Sequence, residues 1–175
     1  MVRHRSVDVQ NRWFVAAEVA GSIHLQELSS SEPFCTIQMS EIERQQEIRV
    51  LHSKSRGIRA ISFDHVFDDT FFGVMTTELC CVFDVRTPTA PVNVLSTQFC
   101  RPSTRSNTPT VFRSFAFCGN GCVLVLTDKD IFRWSYLQAT CTPLQSLYHQ
   151  SKRASFRKIE FKSTSSLIGS FSRLP

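Results

Sequence analysis

The hexapeptide IRAISF at residues 58–63 recurs as FRSFAF at 112–117 and as FRKIEF at 156–161. Each copy follows the pattern Ile/Phe-Arg-x-Ile/Phe-x-Phe, whose second, fourth and sixth residues would point to one side of a β-strand. In the first two copies the other side carries Ala or Ser at the third and fifth positions. Such small side chains favour an inner strand enclosed between two neighbouring sheets. The repeat therefore predicts one structural unit that the chain contains several times.

The first two copies are each predicted to open a unit of four short strands, and the third copy opens a partial unit; an earlier unit, before residue 58, has no copy. Apolar runs rich in Val, Ile, Phe and Thr alternate with Gly, Pro, Ser, Asp or Asn, as β-strands and their turns do. Two runs in each unit form a predicted hairpin, and a third run follows as the outer strand. The predicted hairpins pair 12–19 with 22–28, 70–77 with 79–85, and 122–128 with 131–137. The predicted outer strands are 34–39, 90–96 and 142–148.

Two connecting segments differ from these strands. Residues 40–48 are expected to form a short helix or a polar loop, because Ser40 and Glu43 have the spacing of a capping box. Residues 99–110 are polar and contain two prolines and two arginines, so they predict a surface loop.

A four-stranded repeat of roughly 40–50 residues is the signature of a β-propeller blade. The predicted fold is therefore all-β, a single domain over 1–175 built as an incomplete, β-propeller-like stack of four-stranded antiparallel blades. The predicted blades span 6–39, 58–97 and 111–149, with a partial fourth at 156–171. A β-sandwich is the alternative. Since propellers close with typically about 4–8 blades, either the chain is a fragment or another chain completes the propeller.

The units resemble WD40 repeats, whose third strand typically ends in Trp-Asp. The second unit has Phe and Asp at those places, and the third has Trp with an Asp six residues before it. Histidines also precede the predicted first strands of two units, as in that family. These positions are Phe83, Asp84, Asp128, Trp134, His52 and His149. The resemblance implies a hydrogen-bond network of His, Ser/Thr, Asp and Trp within a blade, although no unit here holds all four.

The resemblance also implies a function in protein binding. Phe83-Asp84-Val85-Arg86 is similar to the W-D-x-R box by which some WD40 proteins dock on the cullin-4 adaptor, with Phe in place of Trp. Arg86 is therefore a candidate interaction residue, unless this is an ordinary Asp-x-Arg at the end of a strand. A non-enzymatic scaffold for other proteins, within a larger assembly, is the function that the sequence favours.

Catalytic and metal-binding patterns are missing from the sequence. The five histidines form no HExxH or HxH pair, and neither a phosphate loop nor a GxSxG motif occurs. Cys118 and Cys122 flank Gly-Asn-Gly, which predicts a hairpin turn rather than a zinc site. Asp68-Asp69 is expected to be a solvated turn rather than a pair of catalytic carboxylates. We therefore expect no enzymatic activity, no cofactor and no metal.

A basic segment at 151–158 offers an alternative function. Its candidate interaction residues are Lys152, Arg153, Arg157 and Lys158, and Ser155 lies in a context that resembles a basophilic kinase site. The segment predicts binding to nucleic acid or an anionic lipid, or else it is an ordinary basic loop. The second residue of each hexapeptide copy is an arginine: Arg59, Arg113 and Arg157. In a closed propeller these arginines would form a charged ring, or each would simply be solvated.

The composition of the chain predicts the cellular compartment in which it is found. The chain has 175 residues, a formal net charge of +5 and seven cysteines, an odd number. Its N-terminus has no apolar signal segment, and no stretch is apolar enough for a membrane span. These features predict free thiols in a reducing compartment, either the cytoplasm or the nucleus.

Overall fold

The computed structural model of the protein describes residues 4–10, 12–18, 21–45, 57–67, 70–100 and 110–146. These residues form β-strands and one short helix. The elements are β1 (His4–Gln10), β2 (Trp13–Glu18), β3 (Ser22–Glu27), β4 (Cys35–Gln38), α1 (Met39–Gln45), β5 (Ala60–Phe63), β6 (Phe71–Met75), β7 (Leu79–Asp84), β8 (Asn93–Ser96), β9 (Phe112–Gly119), β10 (Cys122–Thr127), β11 (Asp130–Ser135) and β12 (Thr140–Ser146).

The strands form three four-stranded antiparallel sheets, in which strands consecutive in sequence are neighbours. Sheet 1 contains β1 to β4, sheet 2 contains β5 to β8, and sheet 3 contains β9 to β12. None of these sheets closes into a barrel within the described part of the chain. The predicted all-β class is confirmed. The first two copies of the hexapeptide contain β5 and the start of β9, whereas the third copy, at 156–161, lies outside the described residues.

The first strands of the three sheets lie side by side, since β5 contacts both β1 and β9. One apolar core fills the space between sheets 1 and 2, where Val15 and Leu25 meet Phe63 and Phe83. A second core lies between sheets 2 and 3 and contains residues such as Val82. Sheet 2 therefore has an apolar core on each of its faces.

The amino-acid sequence explains why sheet 2 packs against an apolar core on both of its faces. β6 (FFGVM) and β7 (LCCVFD) are almost continuously apolar, and every residue of both strands is buried. Their side chains alternate between the two cores, so Cys81 faces the first core and Cys80 faces the second. By contrast, β3 (SIHLQE) alternates, and its apolar residues face the first core.

Short turns join the hairpin arms. Asn120 and Gly121, between β9 and β10, have φ of 52° and 65°, the left-handed pair that type I′ hairpin turns require. Cys118 and Cys122 flank this turn, as the sequence predicted. Among the described residues, no group of three or more metal-ligating side chains is arranged to hold a metal. The predicted Asp68-Asp69 turn lies outside the described residues.

The helix differs in detail from the sequence expectation of 40–48. It begins at Met39, so Ser40 is its second residue and cannot act as the N-cap. Met39 and Ile42 are buried in the first core, and this apolar packing holds the helix on sheet 1. In the described part of the chain, no helix has both the length and the apolar character needed to cross a membrane.

Candidate protein-interaction surface

Exposed apolar side chains concentrate at one end of the three sheets. Because the strands alternate in direction, the segments that follow the odd-numbered strands share this end. Ten large apolar side chains of the described residues are exposed, and six of them lie in these segments. We call these six residues the apolar end: Leu28, Phe34, Val66, Phe67, Val92 and Leu137. Exposed apolar side chains gathered at one end of a protein are a candidate binding surface.

Two of these side chains lie against the β9–β10 hairpin. A Cβ atom placed on Gly119 would be 3.3 Å from Val66 Cγ1, and one placed on Gly121 would be 2.3 Å from Leu137 Cδ1. Val66 belongs to sheet 2, so its contact with Gly119 joins the ends of two sheets. Substituting Gly121 would displace Leu137, because the added Cβ would clash with its side chain, and the positive φ of 65° would also strain any other residue there.

A buried hydrogen bond fixes the segment that carries Val66 and Phe67. Asp64 Oδ1 accepts hydrogen bonds from the backbone N–H of Val66 at 3.1 Å and of Phe67 at 3.0 Å. Its other oxygen, Oδ2, accepts a hydrogen bond from Tyr136 Oη at 3.0 Å. Asn93 Nδ2 donates to the Tyr136 carbonyl at 3.0 Å. Val66 and Phe67 of the apolar end are therefore presented on a turn that sheets 2 and 3 hold jointly.

The sheet 1 side of the apolar end contains an aromatic pair with an arginine. The Trp13 and Phe34 rings are 5.5 Å apart in an edge-to-face arrangement. The Arg12 guanidinium lies 5.5 Å from the centre of the Trp13 ring, and Arg12 Nε is 3.8 Å from Glu27 Oε1. Trp and Arg are enriched among the residues that dominate protein–protein binding energy. Sequence reasoning did not single out this group.

Arg86, a candidate interaction residue from the sequence, lies at the same end. Its Nε donates to Asp84 Oδ1 at 2.9 Å and its Nη2 donates to Asp84 Oδ2 at 2.6 Å. These hydrogen bonds from Arg86 hold the pKa of the Asp84 carboxyl below its usual value. The Arg86 side chain remains 64% exposed. Phe83 instead is fully buried and stacks on Phe72, with 5.2 Å between ring centres, so it belongs to the core.

The two residues of sheet 3 that the sequence compared with WD40 repeats, Trp134 and Asp128, have separate environments. Trp134 is buried in the second core, where it pairs across the sheet with Cys141. Asp128 is exposed; its Oδ1 accepts from Val111 N at 2.9 Å, and its N–H donates to the Val111 carbonyl at 3.1 Å. Asp128 therefore ties the β10–β11 turn to the residue before β9.

The remaining predicted site residues lie outside the described part of the chain. They are His52, His149, Lys152, Arg153, Ser155, Arg157 and Lys158. Arg59 and Arg113, which share their place in the hexapeptide with Arg157, are exposed near the starts of β5 and β9. They therefore lie at the opposite end of the sheets from Arg86.

One cluster of polar side chains was missed by sequence reasoning. Asp8 Oδ2 accepts hydrogen bonds from Phe63 N at 2.7 Å and from Ser62 Oγ at 3.2 Å, and it lies 3.0 Å from His65 Nε2. His65 Nδ1 also contacts Gln10 Oε1. In a hydrolytic triad the imidazole lies between hydroxyl and carboxylate. Here the carboxylate lies between the other two groups, so the cluster clamps β1 to β5 and lacks the geometry for nucleophilic catalysis.

Comparison with known proteins finds solved structures with a similar fold, but it does not assign the chain to a family. No model of a protein family matches the chain, and no curated protein matches it. The chain is similar to the crystal structure of the computationally designed Ika4 protein, with a TM-score of 0.58 and 14% identity over 91% of this chain and 80% of that one. It is also similar to the computationally designed Ika8 protein, with a TM-score of 0.56 and 15% identity over 91% of this chain but only 40% of that one. At such identities the likeness concerns the fold alone.

Proposed function

We propose that this chain is a non-enzymatic scaffold that binds other proteins through its apolar end. The observation that carries the proposal is the concentration of six of the ten exposed large apolar side chains at one end of the sheets. The buried Tyr136–Asp64 hydrogen bond keeps this surface in place before a partner arrives. A pre-formed surface loses less conformational entropy on binding than a flexible one.

The composition of this end supports a protein partner. Arg12, Trp13 and Arg86 lie at this end of the sheets, and aromatic residues and arginine are enriched in protein interfaces. The WD40-like docking role of Arg86 is part of this proposal, since its guanidinium is both exposed and oriented by Asp84.

We further propose that the three sheets are WD40-like blades of an incomplete β-propeller. The lateral contacts of β5 with β1 and β9 support this arrangement, because the first strands of propeller blades line a common axis. On the face of sheet 1 opposite the first core, Val7 and Val9 are 50% and 47% exposed. Another chain that completes the propeller would bury them. The predicted partial blade at 156–171 lies outside the described residues.

Quantitative affinity capture tests the proposed docking surface. The test variant combines Phe67→Ser with Leu137→Ser, which replaces side chains that are 49% and 53% exposed at the apolar end. The matched control combines Phe99→Ser with Leu144→Ser, also one Phe and one Leu, 70% and 55% exposed elsewhere. We expect stoichiometric partners of the wild-type chain to be lost from the first variant and retained by the second. Equal retention by both variants would refute the docking surface.

The alternative function is binding of nucleic acid or an anionic lipid through residues 151–158. It rests on four basic residues within eight. Binding of this kind weakens steeply as salt rises, because Lys and Arg release counterions from phosphates. Charge reversal at Lys152 and Arg153 should therefore abolish binding to a DNA oligonucleotide or to anionic vesicles. Binding that is unchanged by the reversal would eliminate this alternative. A cytoplasmic or nuclear location is proposed under either function.

A further inference from the structure

The face of sheet 3 that points away from the second core is apolar at its centre. Phe115 of β9, Val125 of β10 and Phe132 of β11 pack in the second core, so their neighbours along each strand point to the other face. We call this other side of sheet 3 the outward face; its residues are Ser114, Ala116, Leu124, Leu126, Ile131 and Arg133.

The central pair of the outward face is buried. Leu126 and Ile131 are partners across β10 and β11, and they are only 1% and 6% exposed. Neither residue belongs to the first or the second core, the two cores that the described strands form between their sheets. Their burial therefore requires a further layer on this side of sheet 3.

The outward face corresponds, position by position, to the face of sheet 2 that packs against sheet 3. The two described copies of the hexapeptide fix the alignment of the sheets, and the strand registers then give the equivalent residues. These are Gly73 and Leu124, Met75 and Leu126, Cys80 and Ile131, and Val82 and Arg133. The three larger residues of sheet 2 in this set are buried in the second core, under sheet 3. The outward face is therefore the place where sheet 3 would receive a next strand, as sheet 2 receives β9.

The hexapeptide packs against the preceding sheet through the same positions in both described copies. Its first, fourth and sixth residues are buried in the core shared with that sheet. They are Ile58, Ile61 and Phe63 in the first core, and Phe112, Phe115 and Phe117 in the second. The third copy, at 156–161, has Phe156, Ile159 and Phe161 at these positions. It therefore carries the apolar side that packs on a preceding sheet.

The fourth residue of the hexapeptide complements the size of the residue that it faces. In sheet 2 this residue is Gly73, on which a Cβ atom would lie 2.5 Å from Phe115 Cε2. The equivalent residue of sheet 3 is the larger Leu124, and the third copy has the smaller Ile159 where the second has Phe115. A larger side chain in the sheet is thus matched by a smaller one in the hexapeptide, as close packing requires.

The chain is long enough to place the third copy on the outward face. β12 ends at Ser146, at the end of the sheets where β5 and β9 begin. Phe156 lies ten positions further on, and an extended chain of that length reaches about 33 Å. The path from a fourth strand back to a next first strand crosses three strand spacings, about 15 Å, and one sheet spacing, about 10 Å. The connection therefore suffices, and the new strand would run in the same direction as β5 and β9.

We propose that residues 156–161 of this chain form a strand that covers the outward face of sheet 3, with Ile159 packed on Leu124. This inference rests on the proposed stack of blades and is independent of the apolar end. Lys158 and Glu160, at the third and fifth positions of the copy, would face away from sheet 3. A chain that completes the propeller would then meet Val7 and Val9 of sheet 1 on one side and this charged side of 156–161 on the other.

Photo-cross-linking of the full-length chain tests the occupant of the outward face. The photoreactive residue p-benzoylphenylalanine replaces Leu124, which is half-buried, in an equal mixture of unlabelled and ¹⁵N-labelled protein. After irradiation and chymotryptic digestion, mass spectrometry identifies the linked peptides. We expect links to residues 156–161 in which both peptides carry the same isotope. Pairs of mixed isotope would show that a second copy covers the face, and links only to other segments, or none, would equally overturn the proposal.

The same photoreactive residue in place of Phe117 separates this inference from the proposed stack of blades. A Cβ atom on Gly73 would lie 3.3 Å from the Phe117 ring, so the probe should link to β6. If the probe at Phe117 links to β6 while the probe at Leu124 misses 156–161, only the present inference fails. If both links are missing, the stack of blades fails as well.

Two double variants, each carrying the probe at Leu124, test which side of 156–161 makes the contact. Ile159→Ser with Phe161→Ser removes the apolar side and should abolish the cross-link. Lys158→Ser with Glu160→Ser is the matched control on the other side of the strand and should retain it. Equal loss or equal retention in the two variants would contradict the assigned orientation. The cross-link in the chain with an unchanged hexapeptide is read independently, so a folding defect in either double variant leaves the test intact.

Discussion

The Tyr136 hydroxyl donates a hydrogen bond to the Asp64 carboxylate, with 3.0 Å between Oη and Oδ2. Both residues are 1% exposed, and they are 72 residues apart in sequence. Asp64 directly follows the first strand of sheet 2, whereas Tyr136 follows the third strand of sheet 3. The bond therefore connects two sheets whose remaining contacts are largely apolar.

Tyr136→Phe is expected to lower the free energy of unfolding by about 1–3 kcal/mol, because a buried carboxylate loses one donor. The aromatic ring is kept, so its packing at 5.4 Å from the Phe71 ring should persist. Urea denaturation measures the change. The double variant with Asp64→Asn is the control: its loss should fall short of the sum of the single losses by about 0.5 kcal/mol or more. Additive losses would show that the two groups do not interact.

Asp8 connects the other pair of sheets, and its contacts predict a graded series of variants. Asp8→Ala removes the acceptor for Phe63 N and Ser62 Oγ, so we expect a loss of about 1–3 kcal/mol. Asp8→Asn keeps one carbonyl oxygen and should cost less. Ser62→Ala leaves the Phe63 N bond to Asp8 intact and removes only the hydroxyl, which donates to Asp8 at 3.2 Å or to the Phe63 carbonyl at 3.1 Å, so it should cost least of the three. Chemical denaturation ranks the variants, and any other order would argue against the Asp8 clamp.

The sequence was sufficient for features that depend on local patterns. Alternation and turn residues predicted the all-β class, and Asn120-Gly121 marked a tight hairpin turn. Cys80 and Cys81 are neighbours in β7, so their side chains point to opposite sides of the strand, and they lie in different cores. Each of these features is fixed by residues within a few positions of one another.

The site depends instead on contacts between distant residues. Asp8 meets Phe63 across 55 residues, and Asp64 meets Tyr136 across 72, so no local pattern marks either pair. The apolar end also depends on how the three sheets are placed relative to one another, because its residues come from all three sheets. A local pattern can also mislead. The spacing of Ser40 and Glu43 suits a capping box, but the helix begins at Met39, one residue before Ser40.

The ion pair between Asp84 and Arg86 predicts a pH dependence of stability. Arg86 lowers the pKa of Asp84 in the folded chain. The ion pair therefore stabilises the folded chain fully above the unfolded pKa of about 4, and this stabilisation is lost as the pH falls through the lower pKa of the folded state. Arg86 is largely exposed, so the contribution is about 1 kcal/mol or less. Arg86→Gln should therefore destabilise the chain at neutral pH and have a diminishing effect below about pH 4.

Thermal or urea unfolding across this pH range provides the measurement. Asp84→Asn is the control background, because there the Arg86→Gln change should have no effect that varies with acid pH. A difference between wild type and Arg86→Gln that stays constant down to the most acidic pH would contradict the assignment to Asp84.

Gly73 allows sheets 2 and 3 to approach closely. A Cβ atom on Gly73 would lie 2.5 Å from Phe115 Cε2 and 2.9 Å from its Cζ. The Phe115 ring also packs edge-to-face against Phe117, with 5.9 Å between ring centres, so it has little freedom to move aside. Gly73→Ala should therefore destabilise the chain by about 1–3 kcal/mol through overpacking.

A smaller side chain at the facing position should relieve this strain. Phe115→Leu alone removes buried aromatic contacts and is expected to be destabilising. Combined with Gly73→Ala, it should cost less than the sum of the two single changes, because the added methyl group then meets a shorter side chain. Denaturant unfolding of all four proteins completes the cycle. Strict additivity would mean that the approach of β6 to β9 at Gly73 does not limit the packing of the second core.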